Sequence, residues 1–217
     1  LVTVAVVAGS VLIALAGNAY YAFVNPRFPN VGASAGLALL WGLLSRAHLI
    51  LLALPFVLWR PRRLGFQIGR TLRHWKLLLV VLIANCGVVA VFLWLTGSGT
   101  PYSGDQWLVT EVIVVPVVEE TIWRGIVFTA LLLALDRDSL HRDNAQNHHL
   151  AVWLSGLSFG LLHTSNALAG VPFEFVVVQT LNALVWGVVY GYARAKTESV
   201  YPPMILHSAM NLTVVLV

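Results

Sequence analysis

The sequence predicts an all-α protein, a polytopic transmembrane helix bundle of about seven spans. Three observations carry that prediction. The chain is 59% hydrophobic and only 10% charged, with mean hydropathy +0.82, whereas a soluble domain carries about 25% charged residues. Its apolar residues fall in continuous runs near the ~20 residues that a helix needs to cross the hydrocarbon core. They lack the period-two alternation of a membrane barrel strand. Finally, Lys and Arg are concentrated in alternate connections, the pattern that orients membrane helices.

Seven spans follow in order: Leu1–Val24, Ala35–Trp59, Leu77–Leu95, Trp107–Leu135, Leu150–Leu168, Phe173–Ala193 and Val200–Val217. The breaks between them are turn-rich. NPRFPN separates the first two, TGSGTPYSGDQ the third and fourth, and DRDSLHRDNAQNHH the fourth and fifth. KTES precedes the last, which opens on Pro202 and Pro203. The stretch PRRLGFQIGRTLRHW, Pro61 to Trp75, mixes basic with apolar residues and predicts a short interfacial helix on anionic lipid.

Arg60, Arg62, Arg63, Arg70, Arg73 and Lys76 follow the second span, Arg137 and Arg142 the fourth, and Arg194 and Lys196 the sixth. The intervening connections hold only Arg27. The positive-inside rule then predicts a multi-pass protein of the cell membrane with a cytoplasmic N-terminus. The net charge of +4 reads as topology, with no nucleic-acid partner. The single cysteine, Cys86, excludes an intramolecular disulfide. The start, LVTVAVVAGS, lacks Met and a basic n-region, which argues against a cleavable signal peptide and for a trimmed start. Residues 1–217 are expected to form one transmembrane domain, and no internal repeat of the kind common in transporters is visible. No signal bears on oligomeric state.

Ionisable residues inside the spans cost about 2.5–3.5 kcal/mol each on insertion scales and so mark function or a partner. Glu111, Glu119, Glu120 and Arg124 lie in the fourth span, His163 in the fifth, Gln179 and Asn182 in the sixth, and His207 and Asn211 in the seventh. Glu120 and Arg124 are four apart and share a helix face, as an ion pair requires. Glu119 is turned about 100° away and has Trp123 at i+4. The pair therefore does not explain Glu119, and an unpaired carboxylate is what a general base needs. His207 shares a face with Asn211, and Phe159 with His163, by the same spacing.

The bland readings are specific too. Glu120–Arg124 reads as structural, and Gln179 and Asn182 as interhelical hydrogen-bonding residues. Gly187 and Gly191 read as a close-packing pair, and Glu111 as a solvated residue near the outer interface. His141, His148 and His149 read as members of a solvated loop, although they could ligate metal. Arg46 and His48, inside the second span, fit no pattern.

Taken together, EETIWR, FGLLH and HSAMN give Glu-Glu-x-x-x-Arg, Phe-x-x-x-His and His-x-x-x-Asn in order. The set resembles the CPBP family of intramembrane proteases (CAAX proteases and bacteriocin-processing enzymes, also called Abi), which includes the type II CAAX prenyl endopeptidase. The resemblance covers residues 107–217, the expected catalytic core. It implies a glutamate-dependent peptidase without cofactor or metal. Glu119 would activate water with His163, and His207 and Asn211 would hold the oxyanion, with Glu120, Arg124 and Phe159 in support. The substrate would be a membrane-associated peptide or protein, reached within the lipid bilayer.

Other readings stand beside it. One is a non-catalytic scaffold or immunity protein of the same fold. Another is a proton-coupled transporter. A third is a zinc enzyme with Glu119, His163 and His207 as ligands, although no H-E-x-x-H is present. Straight spans also leave His163 and His207 about 10 Å apart in depth at ~1.5 Å per residue. Tilt, or a broken span, is needed to bring them together.

Overall fold

A computed structural model describes residues 2–24, 27, 30–97, 100, 102–138, 144–169 and 173–217. His141 and Arg142 lie outside these. Among the described residues all regular structure is helical. Helix α1 is Val2–Val24, α2 Ala35–Ser45, α3 Ala47–Trp59 and α4 Trp75–Thr96. Helix α5 runs over 110–138 as alternating segments: π-helical Thr110–Val114, α-helical Val115–Glu120, π-helical Thr121–Val127 and α-helical Phe128–Asp138. Then come α6, Asn144–Leu162, α7, Phe173–Thr197, and α8, Tyr201–Leu216.

The helical bundle is as the composition requires, but the count of seven spans is not reproduced by length and apolarity. Among the described residues two helical stretches satisfy both, Thr71–Leu95 and Phe173–Thr197, and the bent pair α2–α3 adds a third. Helix α4 shows what solvent the bundle is built for. Val80, Ile83, Val91, Trp94 and Leu95 are all exposed, a face that hydrocarbon covers at no cost. One polar residue fastens this helix inward: Asn85 is fully buried and donates to the Leu206 carbonyl at 2.8 Å.

Span two is not straight. It bends by 63° between Ser45 and Ala47. The break falls at Arg46 rather than at Pro55, which α3 accommodates internally. Helix bends occur where a side chain inserts into the backbone ladder; here Ser45 Oγ donates to the Gly42 carbonyl at 3.1 Å, and Arg46, at the break, faces α5, as described below. Its carbonyl still accepts from the Leu49 and Ile50 amides at 3.0 Å each, so the second half starts without an orphaned acceptor.

Helices α6 and α7 pack most closely. A Cβ on Gly187 would stand 2.9 Å from the Gly156 carbonyl oxygen, so the backbones touch there and the small-residue reading of Gly187 holds. Around this contact Ile122, Trp123, Phe128, Leu131, Val152 and Phe159 form a buried core. A second cluster joins Trp41 and Trp107, and a third Trp186, Tyr190 and Leu206.

The interfacial helix expected over Pro61–Trp75 does not form. The segment is a series of turns ending in a 3-10 turn, Thr71–His74. Its backbone is spent on docking: Arg70 N–H donates to the Thr197 carbonyl at 2.7 Å, and Val200 N–H donates to Gly65 at 3.0 Å. Gly69 has φ +55 and lies against Thr197, where a Cβ would meet the carbonyl oxygen at 2.2 Å. Only glycine allows that approach. The docking joins the basic loop after span two to the basic end of α7, where Arg194 Nε donates to the Arg124 carbonyl at 3.1 Å. Two of the basic clusters thus share one end of the bundle.

Candidate active site

Glu120 and Arg124 form the buried centre of α5. Both side chains are 0% exposed, with Arg124 Nε 3.1 Å from Glu120 Oε2 and Arg124 Nη1 donating to Glu120 Oε1 at 3.2 Å. The guanidinium also donates through Nη2 to the Gly187 carbonyl at 2.8 Å. It lies 4.4 Å over the Phe159 ring and 5.6 Å from that of Tyr190. A buried charge is tolerable only when it is paired and hydrogen-bonded, and this one is both. The ion pair expected from the spacing forms. Spacing carried no sign of a third member, His207, whose Nδ1 is 2.9 Å from Glu120 Oε1.

Glu119 leaves the helix on another side, as the spacing required. Its side chain is 16% exposed and faces a cavity of about 1010 Å³. Arg46 Nη2 stands 3.7 Å from Glu119 Oε1, so the arginine that fitted no pattern is the cation opposite the carboxylate.

His163 follows directly on α6, at the first position of a 3-10 turn, His163–Ala169. Its Nδ1 is 2.9 Å from the Phe159 carbonyl oxygen. A carbonyl can only accept, so Nδ1 carries a proton, and when the ring is neutral its Nε2 is bare. Phe159 stands edge-on to both imidazoles, 4.9 Å from His163 and 6.1 Å from His207. Helix α6 ends at Leu162, short of the span read from the sequence, and Phe159 bridges the two rings.

Asn211 donates through Nδ2 to the Glu111 carbonyl at 2.8 Å, which leaves its second N–H for other use. Glu119, His163, His207 and Asn211 all line the same cavity, together with Arg46 and Glu111. The polar groups of three separated motifs are thus brought together.

Glu111 corrects the expectation of a solvated residue. It is 8% exposed, and its Oε1 lacks a hydrogen-bond partner within the protein. The sequence placed it near a helix end, but the π-helical first turn of α5 turns it inward. Such turns shift side-chain direction and recur at functional sites. Tyr190 was also missed. Its ring stacks on His207 at 5.7 Å, and Asn85 donates to its hydroxyl at 3.2 Å. A tyrosine in an apolar run carries no spacing signal that could have revealed this.

Gln179 and Asn182 act as interhelical residues, accepting from Asn166 at 2.8 Å and reaching Met210 Sδ at 3.4 Å. His148 and His149 lie on the first turns of α6, with His149 Nδ1 2.9 Å from the Tyr192 hydroxyl. Among the described residues no three His, Cys, Asp or Glu side chains converge as metal ligands would.

Residues 106–213 match a family model, that of type II CAAX prenyl endopeptidase Rce1-like proteins. The matched segment runs from the start of the fourth span through all three motifs. No curated protein and no solved structure matches the chain.

Proposed function

We propose, from the premise that this chain belongs through residues 106–213 to the type II CAAX prenyl endopeptidase Rce1-like family, that it is a metal-independent intramembrane endopeptidase with Glu119 as its base. Family membership makes it a CAAX-type protease with a membrane-associated protein substrate. The finer assignment rests on one observation: Glu119, His163, His207 and Asn211 share a cavity, while the neighbouring carboxylate, Glu120, is sealed between Arg124 and His207.

In this reading a water sits between Glu119 and His163. The Glu119 carboxylate takes a proton as the water oxygen attacks the scissile carbonyl, and the bare Nε2 of His163 accepts the water's other hydrogen bond. Negative charge then develops on the carbonyl oxygen. Asn211 offers the N–H that Glu111 does not use. His207 offers Nε2 when that nitrogen carries a proton, because Glu120 already engages Nδ1. Donors aimed at a developing oxyanion in a water-poor site are each worth a factor of about 10²–10³ in kcat. Collapse of the tetrahedral intermediate breaks the C–N bond, and the proton on Glu119 passes to the leaving amine. The two products are a carboxylic acid, which keeps the water's second proton, and an amine.

The substrate class follows the family: a CAAX-type C-terminus, or a leader or bacteriocin peptide held at the membrane. The basic clusters support a cell-membrane protein with its N-terminus in the cytoplasm.

The test compares Glu119→Gln with Glu120→Gln, using an internally quenched farnesylated CAAX peptide and the full chain in liposomes. Glu119→Gln should fold and lose about 10²–10⁴ in kcat, the worth of a general base. Normal cleavage by Glu119→Gln would overturn the assignment. Loss of wild-type activity to a chelator, restored by zinc, would overturn the metal-free scheme.

A further inference from the structure

The proposed chemistry leaves Arg46, the cation opposite Glu119 in the cavity, without a task. Arg46 stands at the 63° break between α2 and α3, and its side chain is 18% exposed. Its guanidinium is braced from behind. Nη1 donates to Ser45 Oγ at 3.1 Å, and Ser45 Oγ in turn donates to the Gly42 carbonyl at 3.1 Å. Its other terminal nitrogen faces Glu119 Oε1 at 3.7 Å.

We propose that Arg46 is a positioning residue for Glu119, delivered to the carboxylate by the break in span two. The inference rests on the reading of Glu119 as the base. Three observations support it.

First, the two neighbouring glutamates are held differently. Glu120 has a guanidinium at 3.1 Å and an imidazole at 2.9 Å, and its Oε1 accepts from both. Glu119 faces its cation at 3.7 Å, beyond hydrogen-bond length. That contact steers the carboxylate through charge and leaves its oxygens able to bind water and take a proton.

Second, the break is where the arginine finds its partners. Ser45 Oγ bonds the Gly42 carbonyl just before it, and an arginine within an apolar span is costly unless it is partnered. Bending the span puts the guanidinium at Glu119 and onto Ser45.

Third, geometry decides against the other obvious use of a cavity arginine, capture of the substrate's C-terminal carboxylate. An anion on Arg46 would lie beside Glu119, at the scissile bond itself. A CAAX-type cleavage leaves three residues beyond that bond, and an extended chain covers about 3.3 Å per residue. The terminal carboxylate therefore lies roughly 10 Å away.

The experiment uses the full chain in liposomes with the farnesylated CAAX peptide and an otherwise identical peptide amidated at its C-terminus. Arg46→Ala should lower kcat by about ten- to a hundredfold, the scale of an ångström's misplacement of a reacting group. KM should stay within about threefold, and the loss should be equal for both peptides. Arg46→Lys should recover part of kcat, and methylguanidinium added to Arg46→Ala should recover it further. A merely structural arginine would not give that rescue. Unchanged kcat in Arg46→Ala would overturn the inference. So would a loss that neither lysine nor methylguanidinium relieves, or a loss confined to the free-carboxylate peptide. Should Arg46→Ala fail to fold, Arg46→Lys and Ser45→Ala carry the test. Each should lower kcat without changing KM, and normal kcat in both would overturn it. Failure of the underlying reading is separate: it would appear as normal cleavage by Glu119→Gln, whatever Arg46 does.

Discussion

His207 Nδ1 and Glu120 Oε1 stand 2.9 Å apart, joining α8 to the buried ion pair of α5. The oxyanion donor proposed here is therefore oriented by a carboxylate that itself never meets substrate. Arg124 completes the group, and because the Glu120 and Arg124 side chains are fully buried, removing one partner strands the other's charge.

That coupling sets the first expectation. Arg124→Met leaves Glu120 buried opposite a single imidazole. Breaking a buried ion pair from one side costs about 3–5 kcal/mol. The melting midpoint in detergent should fall sharply, with activity lost in proportion to folded protein. A midpoint equal to wild type would show that the pair contributes no net stability.

Asn211→Ala should behave in the opposite way. It removes a donor that matters in the transition state, so kcat should fall by about 10²–10³ while KM changes little. The lost hydrogen bond to the Glu111 carbonyl costs only about 0.5–1.5 kcal/mol, so the folded yield should survive. Steady-state kinetics on the farnesylated peptide separate the two effects. A rise in KM at constant kcat would assign Asn211 to substrate binding instead.

Glu111→Met tests the buried carboxyl. Its Oε1 lacks a partner within the protein, and an unsatisfied buried group costs about 1–3 kcal/mol. An apolar side chain of similar length should therefore raise the melting midpoint. A fall would show that the carboxyl is held by a partner that stabilises it.

Gly187→Ala probes the contact between α6 and α7. The new methyl would sit 2.9 Å from the Gly156 carbonyl and 3.3 Å from the Phe159 ring. Overpacking of this kind costs about 1–3 kcal/mol. Phe159 also bridges the two histidines, so kcat should drop along with stability. Full activity at a lowered midpoint would show that Phe159 can yield without disturbing either ring.

Glu119 and Glu120 illustrate how far the sequence reaches. At 3.6 residues per turn, adjacent side chains diverge and residues four apart converge. The separation of the Glu120–Arg124 pair from Glu119 on another face was therefore legible before any fold was known, but Glu119 is not unpaired, since Arg46 stands opposite it. The same periodicity joined His207 to Asn211 and Phe159 to His163. It failed at Glu111, where a π-helical turn shifts the register, and over Pro61–Trp75. There the residues suit an interfacial helix, but the backbone binds to Thr197 and Val200 instead.

By itself the sequence determined the helical membrane class, since apolar runs of this length leave the backbone no partners but its own. It also determined the local faces within each helix and the ordered motifs of the family. Only the tertiary structure decided which faces meet: Arg46 with Glu119, His207 with Glu120, and Phe159 between two imidazoles. Helical periodicity fixes geometry over a few residues, whereas these pairings depend on how separate helices bend, stop and pack, and no local spacing encodes that.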